Sequence, residues 1–410
     1  MNPKKILRMG LRARDFNPEL TKSEVLERKW IIEQEIKKKL NSSSLGSLSL
    51  DVVKRKGKSC YIPKLVSQAC LLSYLNAYMG WVYKVRVNNR NEVIRCLKAH
   101  MQDTSPLTIF RTDIYKFYES VDRTFIKNEV LSSKTMPEKT KHLFIDYFRE
   151  LERLKIQGLP RGIGLSGSMS EMYLSDFDRK CRSMEDVIFF ARYVDDIIVI
   201  FLGDKKESDI KKQIEDNLEN HAHGLKIKNK KTKFIQLKRV KSETKPFSPF
   251  DFLGYSFEAD LSSDEEDTRN IKISLSERKL NDYKRKISAA FISFKKSNNT
   301  NSFSLLEQRI KYLTGNIYLP NDKDNRALKS GIYYNYPELS SINDSGLEKL
   351  DSFLKMIIFS SNCRVVNASS KLSYSQKKAL AKYSFKTGYE NKFTTKLSVE
   401  ELVNISRVFK

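Results

Sequence analysis

The sequence predicts an α+β protein, and three observations carry that expectation. Ile- and Val-rich runs flank an adjacent acid pair in Phe190-Ala191-Arg192-Tyr193-Val194-Asp195-Asp196-Ile197-Ile198-Val199-Ile200, which reads as two strands folded into a hairpin with acids at its tip. Amphipathic helical patterns recur elsewhere. The strongest covers 277–296, where Leu280, Tyr283, Ile287 and Phe291 share one face. No repeat with a period of roughly 20–50 residues is present. The 410 residues therefore make one large multi-lobed protein or two to three domains.

Composition narrows the class. Hydrophobic content of 40% and charged content of 30% suit a globular chain and argue against wholesale disorder. The net charge of +25 points to a polyanionic partner, nucleic acid ahead of an anionic membrane surface. Apolar runs such as 197–202 are too short to span a bilayer, and the basic N-terminus has no apolar signal core. Cys60, Cys70, Cys96, Cys181 and Cys363 form no CxxC pair, so reduced core cysteines and a cytoplasmic protein are expected. His221 and His223, beside Gly224, read as loop residues rather than metal ligands.

In chain order, residues 1–20 read as basic and irregular, and 21–40 as a helix opened by a Thr21-x-x-Glu24 capping box, with Leu26, Trp30, Ile32, Ile36 and Leu40 at helical spacing. The Ser-rich stretch 41–50 reads as a loop. The basic run Lys54-Arg55-Lys56-Gly57-Lys58 precedes a strand near Tyr61-Ile62, and is either a triphosphate-embracing hairpin or a solvated turn. Helices are expected over 65–83 and 91–100, then a strand over 106–112 that ends in Asp113. Residues 137–156 read as helix. The loop 158–168 contains four Gly and a Pro, so its backbone can approach a ligand closely. In the next helix Met169, Tyr173 and Phe177 form a stripe, and Ser168-x-x-Glu171 fits a capping box, which makes Glu171 a cap rather than a catalyst. A helix over 208–219, a strand over 232–237, a hairpin beginning at Phe252 with Asp264–Asp267 at its tip, and a returning strand at 271–273 follow. Beyond 297–302, a polar break, the chain reads as mostly helical and basic: a helix marked by Leu347, Leu350, Phe353, Leu354, Ile357 and Ile358, and two shorter helices, the last capped by Ser398-x-x-Glu401.

Two adjacent acids in a buried sheet are costly without a partner, and carboxylates suit Mg²⁺; the other reading is a solvated turn. Asp113 ends a strand upstream. If its strand neighbours the hairpin, Asp113 and Asp195 can hold two Mg²⁺ about 3.5–4 Å apart, the arrangement that activates a hydroxyl and stabilises a departing pyrophosphate. Five motifs stand in order: Asp113-x-x-x-Phe117-Tyr118, Gly158-Leu159-Pro160-x-Gly162-x-x-x-Ser166, Tyr193-Val194-Asp195-Asp196, Gly224-Leu225 with Lys231-Thr232, and Phe252-Leu253-Gly254-Tyr255. Over residues 54–257 this set resembles that of reverse transcriptases.

The resemblance implies a right-hand polymerase: an antiparallel palm sheet, basic fingers, a helical thumb and a helical C-terminal extension. Its segments would be an N-terminal helical piece over 1–50, part of the fingers over 51–112, palm with inserted fingers elements over 113–275, thumb over 276–345 and extension over 346–410. Asp113 and Asp195 would ligate both Mg²⁺ ions with help from the Ile114 carbonyl, and Asp196 would support them. Tyr118 stands at the family's steric gate, or is a core aromatic. Phe117, Arg161 and Gly162 would border the nucleotide. Lys231 would donate a proton to pyrophosphate, or is a surface lysine. Gly254 and Tyr255 would grip the primer, and Arg285 would touch the duplex. Arg161 stands where the family usually carries Gln, and Ser59 and Cys60 where a finger arginine is usual, so triphosphate contacts would fall to Lys54, Arg55, Lys58 or Arg90.

Within the family the chain looks most like bacterial defence-associated, abortive-infection reverse transcriptases, closest to the type 3 systems in which two such enzymes act with a noncoding RNA. This implies an RNA template, a DNA product, deoxynucleoside triphosphates (dNTPs), and a second reverse transcriptase or a homo-oligomer as partners, with no membrane. The alternatives are an RNA-dependent RNA polymerase, which Tyr118 and Tyr193 weigh against, a catalytically silent RNA-binding scaffold, which the acid set weighs against, and template-independent or protein-primed synthesis.

Overall fold

The computed structural model describes residues 2–13, 27–55, 57–85, 88–238, 249–261, 268–297, 301–319, 328–341, 345–359 and 372–409. The expected capping box at Thr21 and Glu24, Leu26, Lys56, the acidic tip 264–267 and Cys363 lie outside them. The chain forms an α+β fold of two compact units. One comprises 1–89 and 105–236, the other 90–104 and 237–410.

The first unit is built on a four-stranded sheet ordered β4-β5-β3-β6, from β3 (Leu107–Asp113), β4 (Val187–Tyr193), β5 (Asp196–Leu202) and β6 (Lys233–Leu237). β3 and β4 both run antiparallel to β5. Phe110, Ile197, Val199 and Phe201 pack into one core with the helices Val66–Val82, Glu138–Arg153, Gly164–Tyr173 and Glu207–His221. Burying these apolar side chains is the main favourable term available to the unit. The basic run makes an antiparallel hairpin of β1 (Leu50–Arg55) and β2 (Lys58–Pro63), turning at Gly57, whose φ is +75°.

Sequence and structure differ at several places here. Residues 3–13 are helical rather than irregular, with Ile6 and Leu7 buried. The helix expected from 21 is described over Lys29–Asn41, and Trp30 is exposed rather than packed. The Ser-rich loop after it is tied to buried acids: Asp146 accepts from the Leu45 N–H (2.7 Å), and Glu150 from the Leu48 N–H (2.7 Å). A helix at Arg123–Ser132, N-capped by Asp122, had no strong periodic signal. The helix after the Gly-rich loop starts at Gly164, so Ser168 lies inside it and caps nothing.

The second unit holds the antiparallel sheet β7 (Phe250–Phe252), β8 (Tyr255–Ala259) and β9 (Ile271–Leu275), and the helix Glu277–Lys296, which buries Leu280, Ile287 and Phe291 as its pattern predicts. The polar break gives way to a further helix, Ser302–Thr314. The C-terminal part is not only helical. β10 (Asn316–Leu319) pairs antiparallel with β11 (Leu328–Gly331) and parallel with β12 (Thr394–Lys396). Asn316 holds this junction, donating to the Gly388 and Phe393 carbonyls (3.1 and 3.2 Å) and accepting from the Tyr333 N–H (2.9 Å). The Ser398–Glu401 capping box forms as expected.

Candidate functional site

The β3–β5 register places Asp113 directly opposite Asp196, and the β4–β5 register places Tyr193 opposite the same residue. Residues paired across antiparallel strands hold their Cβ atoms about 4.5–5.5 Å apart on one face, so Asp113 and Asp196 are neighbours by construction. Val194 and Asp195 form the two-residue turn. Val194 has φ +59°, a conformation that costs a β-branched residue energy and that persists only when its surroundings enforce it. The Ile114 N–H donates to the Asp195 carbonyl (2.9 Å), which fastens the end of β3 to the turn.

Two cations face the acids. Lys231, at the end of the short helical turn Asn229–Lys231, pairs with Asp113, and Arg111, two residues earlier on β3, donates to Asp196 (3.3 Å). Lys231 is positioned by the Lys228 N–H donating to the Asp113 carbonyl (2.7 Å) and by the Thr112–Thr232 hydroxyl contact (2.9 Å). Three carboxylates against two cations leave the site crowded with negative charge. Burial, then Asp113 and Asp196, push the Asp195 carboxyl above its ordinary range. Burial raises Asp196 too, with Arg111 opposing and Asp113 adding to the rise. Among the described residues no three His, Cys, Asp or Glu side chains close into a protein-only metal cage. An Mg²⁺ site that borrows most of its oxygens from water and substrate phosphates needs only one or two carboxylates, and this donor set fits that kind. The bonds that bridge Ile114 to Ile227 run through the Asp113 carbonyl and the Tyr115 N–H, and neither draws on the Ile114 carbonyl.

The turn is braced by a network that sequence reasoning missed. Arg192, on β4, is 1% exposed. It donates to Asp178 through two bonds (2.8 and 2.8 Å), to Glu171 through two more (3.0 and 2.7 Å), and to the Val194 carbonyl (3.0 Å). Glu171 is therefore an ion-pair partner and not a helix cap. The one signal in the sequence was a charged residue inside an otherwise apolar strand.

Around the nucleotide residues expected from sequence, Phe117 and Tyr118 differ in environment. Phe117 is buried in the core, its ring 5.1 Å from that of Tyr118, and it supports the neighbouring ring rather than offering a face to a ligand. Tyr118 is half-buried. Burial raises its hydroxyl, Arg161 opposes this, and Asp195 adds to it, which places the hydroxyl within the field of the acid site. Arg161 lies over the Tyr118 ring (4.9 Å to the centroid) and forms a bidentate pair with Glu119 (2.8 and 3.0 Å). Gly158 and Gly162 each pack closely against backbone elsewhere in the same unit. Gly162 has φ +93°, and a Cβ there would meet the Tyr61 carbonyl oxygen at 2.8 Å. It is backbone packing, more than an approaching ligand, that demands glycine at this point. Lys54, Arg55 and Lys58 on the β1–β2 hairpin are exposed.

In the second unit, Leu253 and Gly254 make the turn between β7 and β8, both with positive φ (+48° and +84°). Tyr255 is fully buried, so its ring cannot touch a primer directly. Arg90, a candidate for triphosphate contact, is used structurally here. Its guanidinium lies 4.9 Å from both the Tyr255 and Tyr336 ring centroids and donates to the Leu253 carbonyl (2.9 and 2.6 Å). Arg285 is exposed on the helix Glu277–Lys296 and donates to Asp282 (3.2 Å).

A family model described as reverse transcriptase (RNA-dependent DNA polymerase) matches residues 64–257, a little under half of the chain. The matched segment contains Asp113, the hairpin acids and the Gly-rich loop, and is what this chain shares with that family. No curated protein sequence matches. Among solved structures the chain is similar to truncated apo telomerase from Candida tropicalis (14% identity, 52% of this chain and 53% of that one covered, TM-score 0.34). It is also similar to telomerase from Candida albicans in complex with a fragment of telomeric RNA (12% identity, 88% and 61% covered, TM-score 0.36). The chain spans between about half and two thirds of the length of these proteins. No helix of the described residues is long and apolar enough to cross a membrane.

Proposed function

We propose that this protein is an RNA-directed DNA polymerase that uses Mg²⁺ and dNTPs. The observation that carries the reading is the acid set in its frame: Asp113 held opposite Asp196 by strand register, with Asp195 on the adjoining turn, inside the segment that the reverse transcriptase family model matches. Asp113 and Asp195 would hold two Mg²⁺ ions, with Asp196 supporting; bound there, the ions would supply Lewis acidity for the primer hydroxyl and charge neutralisation for the pyrophosphate. The chain's own residues do the rest. Lys231 neutralises Asp113 and stands where it can hand a proton to pyrophosphate. Tyr118 walls the sugar site, and exposed Lys54, Arg55 and Lys58 present charge for phosphates. Gly254 and Arg285 would contact the primer end and the product duplex. On this reading 1–50 is an N-terminal helical piece, 51–112 is part of the fingers, 113–275 is palm with inserted fingers elements, 276–345 is thumb and 346–410 is an extension.

The net charge of +25 suits a protein that keeps a polyanion bound, and phosphate contacts of this kind bind without regard to sequence. We infer a cytoplasmic defence role with a noncoding RNA and a second reverse transcriptase or a second copy of this chain, on the resemblance of the motif set. Sequencing the nucleic acid that copurifies with the protein, before and after phage challenge, tests this part. A copurifying noncoding RNA and its complementary DNA are expected; random cellular RNA with no DNA product would refute it.

A further inference from the structure

We propose that Glu119 and Arg161 form a clamp on the Tyr118 ring and thereby set how strongly the site rejects ribonucleotides. This rests on the polymerase reading, with Tyr118 as its sugar wall. The Arg161 guanidinium carbon lies over the ring, 4.9 Å from its centroid, and the Nε and Nη2 edge of the guanidinium donates to the two Glu119 carboxylate oxygens, at 2.8 and 3.0 Å. A bidentate arginine–carboxylate pair fixes orientation as well as distance. The backbone on both sides is also held. The Tyr61 N–H donates to the Arg161 carbonyl (2.7 Å), and the Leu159 N–H to the Tyr118 carbonyl (2.7 Å). Gly158 lies so close to Tyr118 that a Cβ would meet its carbonyl oxygen at 2.1 Å.

Rejecting a single 2′-hydroxyl needs a wall that does not yield, and a ring free to rock by a fraction of an ångström cannot supply it. Two Arg161 donors are committed to Glu119, and this pairing raises the basicity of Arg161 while lowering that of Glu119. A neutral amide at position 161 could neither stack as a cation nor pair bidentately. Glu119 and Arg161 are thus positioning residues acting through Tyr118.

The test is steady-state extension of oligo(dT) on poly(rA) by the full chain with Mg²⁺, comparing kcat/KM for dTTP and UTP. Glu119→Gln is expected to lower the dTTP/UTP ratio about tenfold, the size expected from losing an ordered cation–π contact. Arg161→Lys, which keeps the charge but loses the flat fork, should lower it similarly. In a Tyr118→Ala background, Glu119→Gln should change the ratio less than about twofold, because the wall it holds is gone. Equal losses for dTTP and UTP that leave the ratio unchanged would overturn the clamp, as would the same change of ratio with and without Tyr118. A wild-type protein that incorporates neither nucleotide, or shows no preference for dTTP, would instead remove the polymerase reading and the clamp with it.

Discussion

Replacing Arg192 with Leu should destabilise the first unit severely, and in a pH-dependent way. Arg192 makes four charge-assisted hydrogen bonds of 2.7–3.0 Å to Glu171 and Asp178, whose side chains are each 10% exposed. Removing the cation leaves two carboxylates buried without a partner, and breaking a buried pair in this way costs about 3–5 kcal/mol. At about 2–4 °C per kcal/mol, the melting transition should fall by roughly 10 °C. The stranded carboxylates can escape only by taking up protons, so their folded pKa values rise above the unfolded ones. The penalty is therefore absent at low pH, where both are protonated in either state. It grows as pH rises from the unfolded carboxylate range towards the raised folded values. Thermal melts of wild type and variant at pH 5 and pH 8 check this, and the gap should be wider at pH 8. Adding Glu171→Gln and Asp178→Asn to Arg192→Leu should recover much of the loss at pH 8. A loss below about 1 kcal/mol, or one independent of pH, would refute the reasoning, because an unpaired buried carboxylate cannot be that cheap.

Three further outcomes follow from the same structure. Folding raises the Asp195 carboxyl above its unfolded value, so the wild-type contribution of this group is present at low pH and lost as pH rises through the folded value; Asp195→Asn should raise the melting temperature in metal-free buffer at neutral pH while abolishing synthesis, and a lower melting temperature would contradict the crowding. Gly162→Ala should cost about 1–3 kcal/mol in urea denaturation, because the Cβ meets the Tyr61 carbonyl oxygen at a φ that suits glycine, whereas Gly167→Ala, with open space around its Cβ inside a helix, should be neutral or stabilising. If the helix Glu277–Lys296 lies along duplex, Arg285→Ala should weaken binding of a primed template and reduce the slope of log affinity against log salt by about one, measured by fluorescence anisotropy; an unchanged slope would remove Arg285 from the interface.

The acid site was legible because its signal is local and doubled. An acid pair between two β-branched runs can be read from a dozen residues, and a strand ending in Asp113 supplies its partner. The helix Glu277–Lys296 was legible for the same reason, since its apolar spacing is complete within one element. What escaped were features made by distant pairings. Glu171 sits three residues after Ser168 and so imitates a cap, and only folding brings it to Arg192. Strands β10–β12 are three or four residues long, too short to show alternation, and β12 joins β10 across more than seventy residues of sequence. Tyr255 and Phe117 looked available to a ligand because motif position says nothing about which way an aromatic faces. Arg90 looked like a free cation until two tyrosine rings and a backbone carbonyl were found around it.

The central claim is that Asp113, Asp195 and Asp196 form the metal-holding centre of an RNA-directed DNA polymerase. It is tested most directly by supplying the purified chain with poly(rA) primed by oligo(dT), dTTP and Mg²⁺, and measuring incorporation beside the Asp195→Ala/Asp196→Ala variant, with chelator added to a third sample. The account predicts extension by the wild type, and none by the variant or after chelation. Undiminished extension by the double variant would contradict it.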